Sequence, residues 1–272
     1  MNIDYTLNEL IAVNLSKEFK NGEVGFTGLA TGGPAALYIT AIPLVAMELA
    51  RRTHAPDLNI IFAGWIQNPD LSKLTRLPNA EYDETLRDIP CEGQYLTYPY
   101  QYSFRRGSTS FGFGSGIQID KQGNINSVCI GNHDKPRVRM VGPIFLPEHF
   151  SMFGREYVMM PHHEKRAFTN KVDYITGVGY PDGKKGRKKL GLTRGGPELV
   201  ITPKCIFDFD KIKGKIKVRS IHPNVSLKDL QDSTGFELGN LNNIKNTKSP
   251  QKHELKIIRE DIDPHGILLG NN

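Results

Sequence analysis

The first sixty residues alternate between helical and strand-like apolar patterns. Thr6 and Glu9 have the spacing of a capping box, and the apolar residues that follow recur at helical intervals, at Leu7, Leu10, Ile11, Leu15 and Phe19. We predict a strand over 24–26, a second helix that covers 44–52 and could begin at Pro43, and a buried strand over the continuous apolar run 58–62. This order of elements predicts an α/β fold with an open, doubly wound, mostly parallel sheet flanked by helices.

The rest of the chain predicts further strands and one closing helix. Strand patterns cover 111–119, 125–130, 157–160, 171–176, 199–207 and 215–222, with a turn at 120–123. Residues 68–106 are rich in proline, tyrosine and charge, which predicts an irregular segment. A helix is predicted at about 252–262, and with no linker or repeat in sight we predict a single domain over 1–272.

Composition and charge exclude several classes of protein. The 272 residues carry a net charge of +6, yet the only dense basic run, 184–189, lies among glycines without interleaved aromatics, so we predict a solvated loop and no nucleic-acid partner. The apolar stretch 35–50 is interrupted by polar residues and proline, so no membrane span is expected. The N-terminus lacks a signal-peptide pattern, and we expect a cytoplasmic protein.

No metal or disulfide pattern stands out. The three cysteines are an odd number without CxxC spacing. His162 and His163 are adjacent, and neighbouring side chains on a strand point to opposite faces, so they cannot readily share one ion.

Five segments carry a resemblance to a known family. They read THAPDLNIIF (53–62), QIDKQGNINS (118–127), HHEKRAFTNKVDYITGVGY (162–180), KKLGLTRGGPELVIT (188–202) and HELKIIREDIDP (253–264). In this order they resemble beta subunits of family I CoA-transferases of the glutaconate type. The resemblance implies an alpha-type partner in a heterodimer or heterotetramer, an active site at the subunit interface, a coenzyme A thioester as substrate, and no tightly bound cofactor.

The chain departs from that family at the nucleophile. The resemblance implies a glutamate after the strand at 58–62, in a pattern like F-E-S-G, which attacks the thioester. Here the residues are Phe62, Ala63, Gly64 and Trp65, and 58–69 contains no Asp or Glu. A methyl group cannot attack a thioester.

A second departure concerns a loop of the type G-S-G-G-A, whose amides approach the substrate in the family. This chain has Gly142 and Pro143 followed by bulky residues. Proline removes an amide donor and large side chains prevent close backbone approach, so we expect a rebuilt loop.

Candidate site residues follow, each with a structural alternative. For catalysis they are Asn126, which matches a family turn, and Glu148 and His149 in the rebuilt loop; for substrate or CoA binding they are Gly28, Gly32, Gly33, Trp65, Asn124 and Gly142. Turn chemistry explains the asparagines equally well, close packing the glycines, and core filling Trp65.

These departures favour hydrolysis, of a thioester or of a carbon–carbon bond in ring opening, over CoA transfer. The related steroid ring-opening hydrolases also lack the nucleophile in their beta subunit. Two alternatives stay open: CoA transfer with a carboxylate supplied by the partner, and a non-catalytic scaffold subunit.

Overall fold

The structure, a computed structural model, describes residues 4–30, 32–95 and 107–270. The predicted glycine loop at 28–33 and the predicted irregular segment 68–106 therefore lie partly outside the described residues. The chain divides into two compact units. Unit 1 comprises residues 1–113 and 248–272, and unit 2 comprises residues 114–247.

Unit 1 contains a five-stranded sheet with helices. Its elements are α1 (Leu7–Ser16), β1 (Val24–Thr27), the long helix α2 (Gly33–Thr53), β2 (Asn59–Phe62), β3 (Ile66–Pro69), the short α3 (Glu84–Arg87), β4 (Cys91–Gln94) and β5 (Phe111–Gly114). The closing helix α7 runs over Lys252–Lys256 and continues as a π-helix over Ile257–Ile262. The capping box predicted at Thr6 and Glu9 is confirmed.

The centre of this sheet is parallel and tightly packed. The strand order is β5-β1-β2-β3-β4, in which β1 pairs in parallel with both β2 and β5, and β3 and β4 add antiparallel pairs. A Cβ at Gly25, in the middle of β1, would lie 2.5 Å from the Phe111 ring and 2.6 Å from the sulfur of Met47 on α2. Glycine therefore lets helix and neighbouring strand approach β1 closely.

Helix α2 begins about ten residues earlier than the predicted segment 44–52. Residues 36–41 form a π-helical turn immediately before the ordinary helix Ile42–Thr53, with Pro43 in its first turn. Proline lacks an N–H and normally marks a helix start, so the sequence pattern hid the part before it. The helix is long and apolar enough to cross a membrane, but 72% of its most apolar window is buried, as in a core helix.

Unit 2 contains a second five-stranded mixed sheet, with strand order β15-β14-β13-β12-β10, and two small sheets. Its elements are β6 (Gln118–Asp120), β7 (Ile125–Asn126), β8 (Cys129–Ile130), β9 (Val138–Arg139), α4 (Leu146–Met152), β10 (Arg155–Met159), β11 (Phe168–Thr169), α5 (Gly183–Lys189), β12 (Pro197–Ile201), β13 (Cys205–Asp210), β14 (Lys215–Ile221), α6 (Leu227–Asp232) and β15 (Lys245–Asn246). Its core is apolar and rich in aromatics, including Phe150, Phe168 and Phe207.

The predicted α/β class is confirmed, with three local corrections. The predicted strand 199–207 is two antiparallel strands, because Pro203 lies in the turn between them and the hydroxyl of Thr202 accepts from the amides of Lys204 and Cys205. The segment 171–176 is not a strand. The basic run is not a loop but helix α5, in which Arg187 is buried.

Candidate functional site

Ala63, at the expected position of the nucleophile, lies in the tight turn between β2 and β3. Its backbone is left-handed, with φ +52°, and Gly64 follows at φ +82°. The Ala63 amide donates to the carbonyl oxygen of Thr27 at 3.0 Å, which joins the carboxyl ends of β1 and β2. Ligand sites of open α/β folds lie at such strand ends. The position is thus retained in a conformation uncommon for a residue with a side chain, while its reactive group is absent.

The glycine loop after β1 lies beside this turn. The hydroxyl of Thr40 accepts from the amide of Ala30 at 2.9 Å and lies 3.4 Å from the carbonyl of Gly28. Gly32 and Gly33 are exposed with positive φ values, and nothing lies within 4 Å of a Cβ placed on either. Their surroundings are therefore open, and the loop joins the N-terminal end of α2, where helix amides favour anionic groups.

Trp65 is buried on the other side of the Ala63 turn. Its indole N–H donates to the carbonyl of Glu81 at 2.7 Å, and its ring stacks against Tyr82, whose side chain is 80% exposed. This arrangement holds the segment around 81–82 against the strand ends. The predicted role in binding an acyl group stays a prediction.

Asn126 and Asn124, both buried, have their amide groups engaged within unit 2. The Asn126 side-chain nitrogen donates to Gln118 Oε1 and to the carbonyl of Cys129, and its oxygen accepts from two backbone amides. The Asn124 nitrogen donates to Asp120, and its oxygen accepts from the amide of Gly179. Both residues shape the predicted turn; their roles toward a substrate stay predictions.

The Gly142 loop is a neighbour of this turn and presents apolar side chains. The hydroxyl of Ser127 donates to the carbonyl of Gly142 at 2.7 Å, and the Gly142 amide donates back to the Ser127 carbonyl at 3.2 Å. The Gly142 amide is thus engaged, and Pro143 has none. Ile144 and Phe145 have positive φ values, at 37° and 62°.

An exposed group of apolar side chains surrounds this loop. The amide of Ser127 donates to the Thr176 hydroxyl at 3.0 Å, so the loop and the segment at 175 lie close together. Val141 is 75% exposed and Ile144 64% exposed. We call this group the apolar surface: Met140, Val141, Ile144, Phe145 and Ile175. The sequence pattern did not single it out, although a run of large residues after a turn glycine was visible.

His149, predicted from sequence, is buried on α4 against a carboxylate that the sequence did not reveal. Its Nδ1 lies 3.0 Å from Oε1 of Glu156, which is fully buried at the start of β10. The Phe153 ring stacks on the imidazole at 4.5 Å, and the Phe145 ring meets it edge-on at 5.2 Å. Glu148, by contrast, is half-exposed in the first turn of α4. Burial raises the pKa of Glu156, and the charge of His149 acts in the opposite direction.

Other titratable groups in the described part of the chain have structural roles. Among residues 4–30, 32–95 and 107–270 no cluster of three or more His, Cys, Asp or Glu could hold a metal ion. His163 is buried between the hydroxyls of Thr202 and Thr234. The four lysines of α5 are exposed, whereas the Arg187 guanidinium donates to four backbone carbonyls. A polar cleft of about 620 Å³ in unit 1 is lined by the ion pairs that Arg51 makes with Glu48 and Glu92.

Comparison with known proteins assigns the family. The family model described as Coenzyme A transferase matches residues 9–233. The chain belongs to the coenzyme A transferase family.

Two relatives and one solved structure show the same placement within that family. The chain is 31% identical over 263 residues to the beta subunit of glutaconate CoA-transferase from Acidaminococcus fermentans, covering 96% of this chain and 94% of that protein. It is 28% identical over 229 residues to a cholesterol ring-cleaving hydrolase IpdB subunit of Rhodococcus jostii, covering 84% and 85%. The crystal structure of glutaconate coenzyme A-transferase from A. fermentans matches with a TM-score of 0.78 and 30% identity over 99% of both chains.

These matches confirm the predicted family, its beta-type placement and the α/β fold. The chain is a CoA-transferase family enzyme subunit, the family implies acyl-CoA substrates, and relatives that are named as subunits of heteromeric enzymes imply an alpha-type partner.

Proposed function

We propose that this chain is the beta-type subunit of an enzyme that hydrolyses an acyl-CoA substrate together with an alpha-type partner. Ala63 carries the proposal, because it occupies the turn at the carboxyl ends of β1 and β2 where the resemblance implies a nucleophilic glutamate. Without a carboxylate there, no acyl-enzyme anhydride can form on this residue. Direct attack by water avoids that intermediate.

The sequence around Ala63 supports this reading. The β2–β3 hairpin with its flanking residues, 58–69, has no acidic residue that a register shift could bring to the same place. The relative that is named as a ring-cleaving hydrolase, at 28% identity, adds support for hydrolytic chemistry on this fold.

The apolar surface supports the partner requirement. Large aliphatic side chains that are more than half exposed, such as Val141 and Ile144, gain stability when another protein covers them. The exposed Lys135, Arg137 and Arg139 precede them in the chain and would attract the anionic CoA moiety. We infer that the alpha-type subunit covers the apolar surface and that the acyl-CoA binds next to it.

The test uses the chain purified as a complex with its alpha-type subunit. The complex is incubated with an acyl-CoA, with and without an isotopically labelled carboxylate acceptor, and released CoA thiol and labelled thioester are both measured. Hydrolysis predicts thiol release at a rate independent of the acceptor. Acceptor-dependent labelled thioester would overturn hydrolysis, and no turnover of any acyl-CoA tried would favour the scaffold alternative.

CoA transfer is the second candidate, and the 31% identity to a subunit named as part of a transferase favours it. It requires a carboxylate from the partner. Hydroxylamine trapping of the complex distinguishes this case, because a trapped carboxylate on the partner would show a covalent acyl intermediate.

A further inference from the structure

The buried pair of His149 and Glu156 has no assigned role and is unusual for a structural contact. Glu156 is fully buried, yet only its Oε1 meets His149, and its Oε2 has no hydrogen-bond partner among the described residues. An ionised carboxylate in such a place is costly unless a positive charge compensates it. The chain retains this arrangement although an apolar residue would be less costly.

The surroundings are built to accommodate the pair. A Cβ at Gly114 would lie 2.5 Å from Oε1 of Glu156, so the absence of a side chain at 114 makes the room for the carboxylate. The rings of Phe145 and Phe153 cover the imidazole. In this apolar setting a net charge is disfavoured, and a pair that holds one proton as imidazolium and carboxylate is neutral overall.

The pair also lies directly beneath the apolar surface. Phe145 contacts the imidazole edge-on and is itself exposed as part of that surface. Its left-handed backbone, φ +62°, stands at the start of α4, three residues before Glu148 and four before His149. Displacement of this one ring would uncover the imidazole to a ligand on the apolar surface.

We propose that Glu156 is a positioning residue that keeps His149 protonated, so that this chain contributes the proton donor for acyl-CoA cleavage. The proposal rests on the proposed hydrolysis. In the step, a base on the partner takes a proton from water, and the hydroxide oxygen bonds to the thioester carbonyl carbon. The carbon–sulfur bond then breaks with its electron pair going to sulfur, and the His149 proton moves to that sulfur. The products are the carboxylic acid and CoA thiol; the partner's base releases its proton to solvent, and the pair regains one from solvent.

The charge state of His149 provides a test that does not depend on turnover. Imidazole nitrogens of the whole chain, labelled with ¹⁵N-histidine, are followed by NMR from pH 5 to 9, with His149→Gln used for assignment. We expect the His149 imidazolium to persist above pH 7.5 in the wild-type chain and to become neutral at least one pH unit earlier in Glu156→Gln. A His149 that is neutral at pH 7 in the wild-type chain would overturn the proposal, even if the variant failed to fold.

The second arm measures kcat and KM of the complex across the same pH range. Loss of a positioned proton donor costs about 10²–10⁴-fold in rate. We expect that loss in kcat for His149→Gln, a smaller loss with a shifted pH profile for Glu156→Gln, and KM changed less than threefold. His222→Gln removes another buried imidazole of unit 2 and is the control for general damage.

The outcomes separate the two proposals. Hydrolysis that survives His149→Gln with its pH profile unchanged refutes the role of the pair and leaves the proposed function standing. Absence of hydrolysis in the wild-type complex refutes the proposed function, whereas the NMR result still decides whether Glu156 holds His149 protonated.

Discussion

The hydroxyl of Thr27 donates a hydrogen bond of 2.6 Å to the backbone carbonyl of Ile39. Ile39 precedes Pro43 by four residues, so its carbonyl cannot receive the usual helical hydrogen bond, because proline has no N–H. Thr27, the last residue of β1, supplies a donor in its place. The strand end that supports the Ala63 turn is thereby fastened to the π-helical part of α2.

Thr27→Val is expected to lower the free energy of unfolding by about 1–3 kcal/mol, because a buried carbonyl loses its donor with little change in side-chain shape. Urea unfolding followed by circular dichroism measures this. Thr27→Ser keeps the hydroxyl and is the matched control. Equal losses in both variants would show that the methyl group, and not the hydrogen bond, matters.

The regular parts of the fold were predictable because they depend on local signals. The capping box at Thr6, the apolar run 58–62 and the turn at Gly123 each contain their own instructions within a few residues, and all three appear in the structure. The start of α2 was not predictable, since the partner that compensates Pro43 is Thr27, which lies on another element.

The candidate site divides in the same way. Ala63 could be identified from the chain alone because it follows a recognisable strand. Glu156 could not, because its only signature is burial, and a glutamate ahead of an apolar strand is normally expected to be exposed. Its contact with His149 joins α4 to β10, and no spacing rule predicts which side chains meet across two elements.

A gain-of-function variant tests the significance of Ala63. Ala63→Glu restores a carboxylate at the nucleophile position, and we expect the complex to acquire acceptor-dependent formation of a labelled CoA thioester that the wild type lacks. Ala63→Gln is the matched control, because its size is similar and it cannot form the anhydride. A glutamate variant no different from the glutamine variant would mean that other parts of the site also prevent transfer.

Two buried histidines make unit 2 sensitive to acid. Burial lowers the pKa of His163 to about 3 and that of His222 to about 4, from an ordinary value near 6.5. As the pH falls below 6.5, the unfolded chain binds protons that the folded chain does not, so stability decreases until the folded groups protonate near pH 4 and 3. At pH 4.5 each histidine costs about 2.7 kcal/mol of folding free energy.

Urea unfolding at pH 7.5 and 4.5 measures this effect. His163→Gln is expected to lose stability at pH 7.5, where its hydrogen bonds to two threonines are weakened, and to lose less than the wild type between pH 7.5 and 4.5. A variant whose stability falls as steeply as the wild type would show that His163 does not stay neutral in the folded chain.

Arg187 stabilises unit 2 through backbone carbonyls instead of a carboxylate. Its guanidinium donates to the carbonyls of Val178, Gly179, Phe150 and Arg194. Lysine presents a single compact ammonium and cannot span these acceptors, so Arg187→Lys is expected to cost roughly 3 kcal/mol by urea unfolding. Lys188→Arg, on the exposed side of α5, is the control and should change stability by less than about 0.5 kcal/mol.

Gly114 tests whether the room for the Glu156 carboxylate depends on the absence of a side chain. In Gly114→Ala the new methyl would meet Oε1 of Glu156 and a methyl of Leu146, and both neighbours are buried. Overpacking of this kind costs about 1–3 kcal/mol, and the displaced carboxylate would lose its 3.0 Å contact with His149. Gly28→Ala is the matched control, because its nearest neighbour, the ring of Phe26, is 3.8 Å away. Urea unfolding should therefore show a loss for the first variant and little change for the second. Equal stability of the two would mean that Glu156 can move aside without cost, and the NMR charge state of His149 in Gly114→Ala would then show whether the pair had separated.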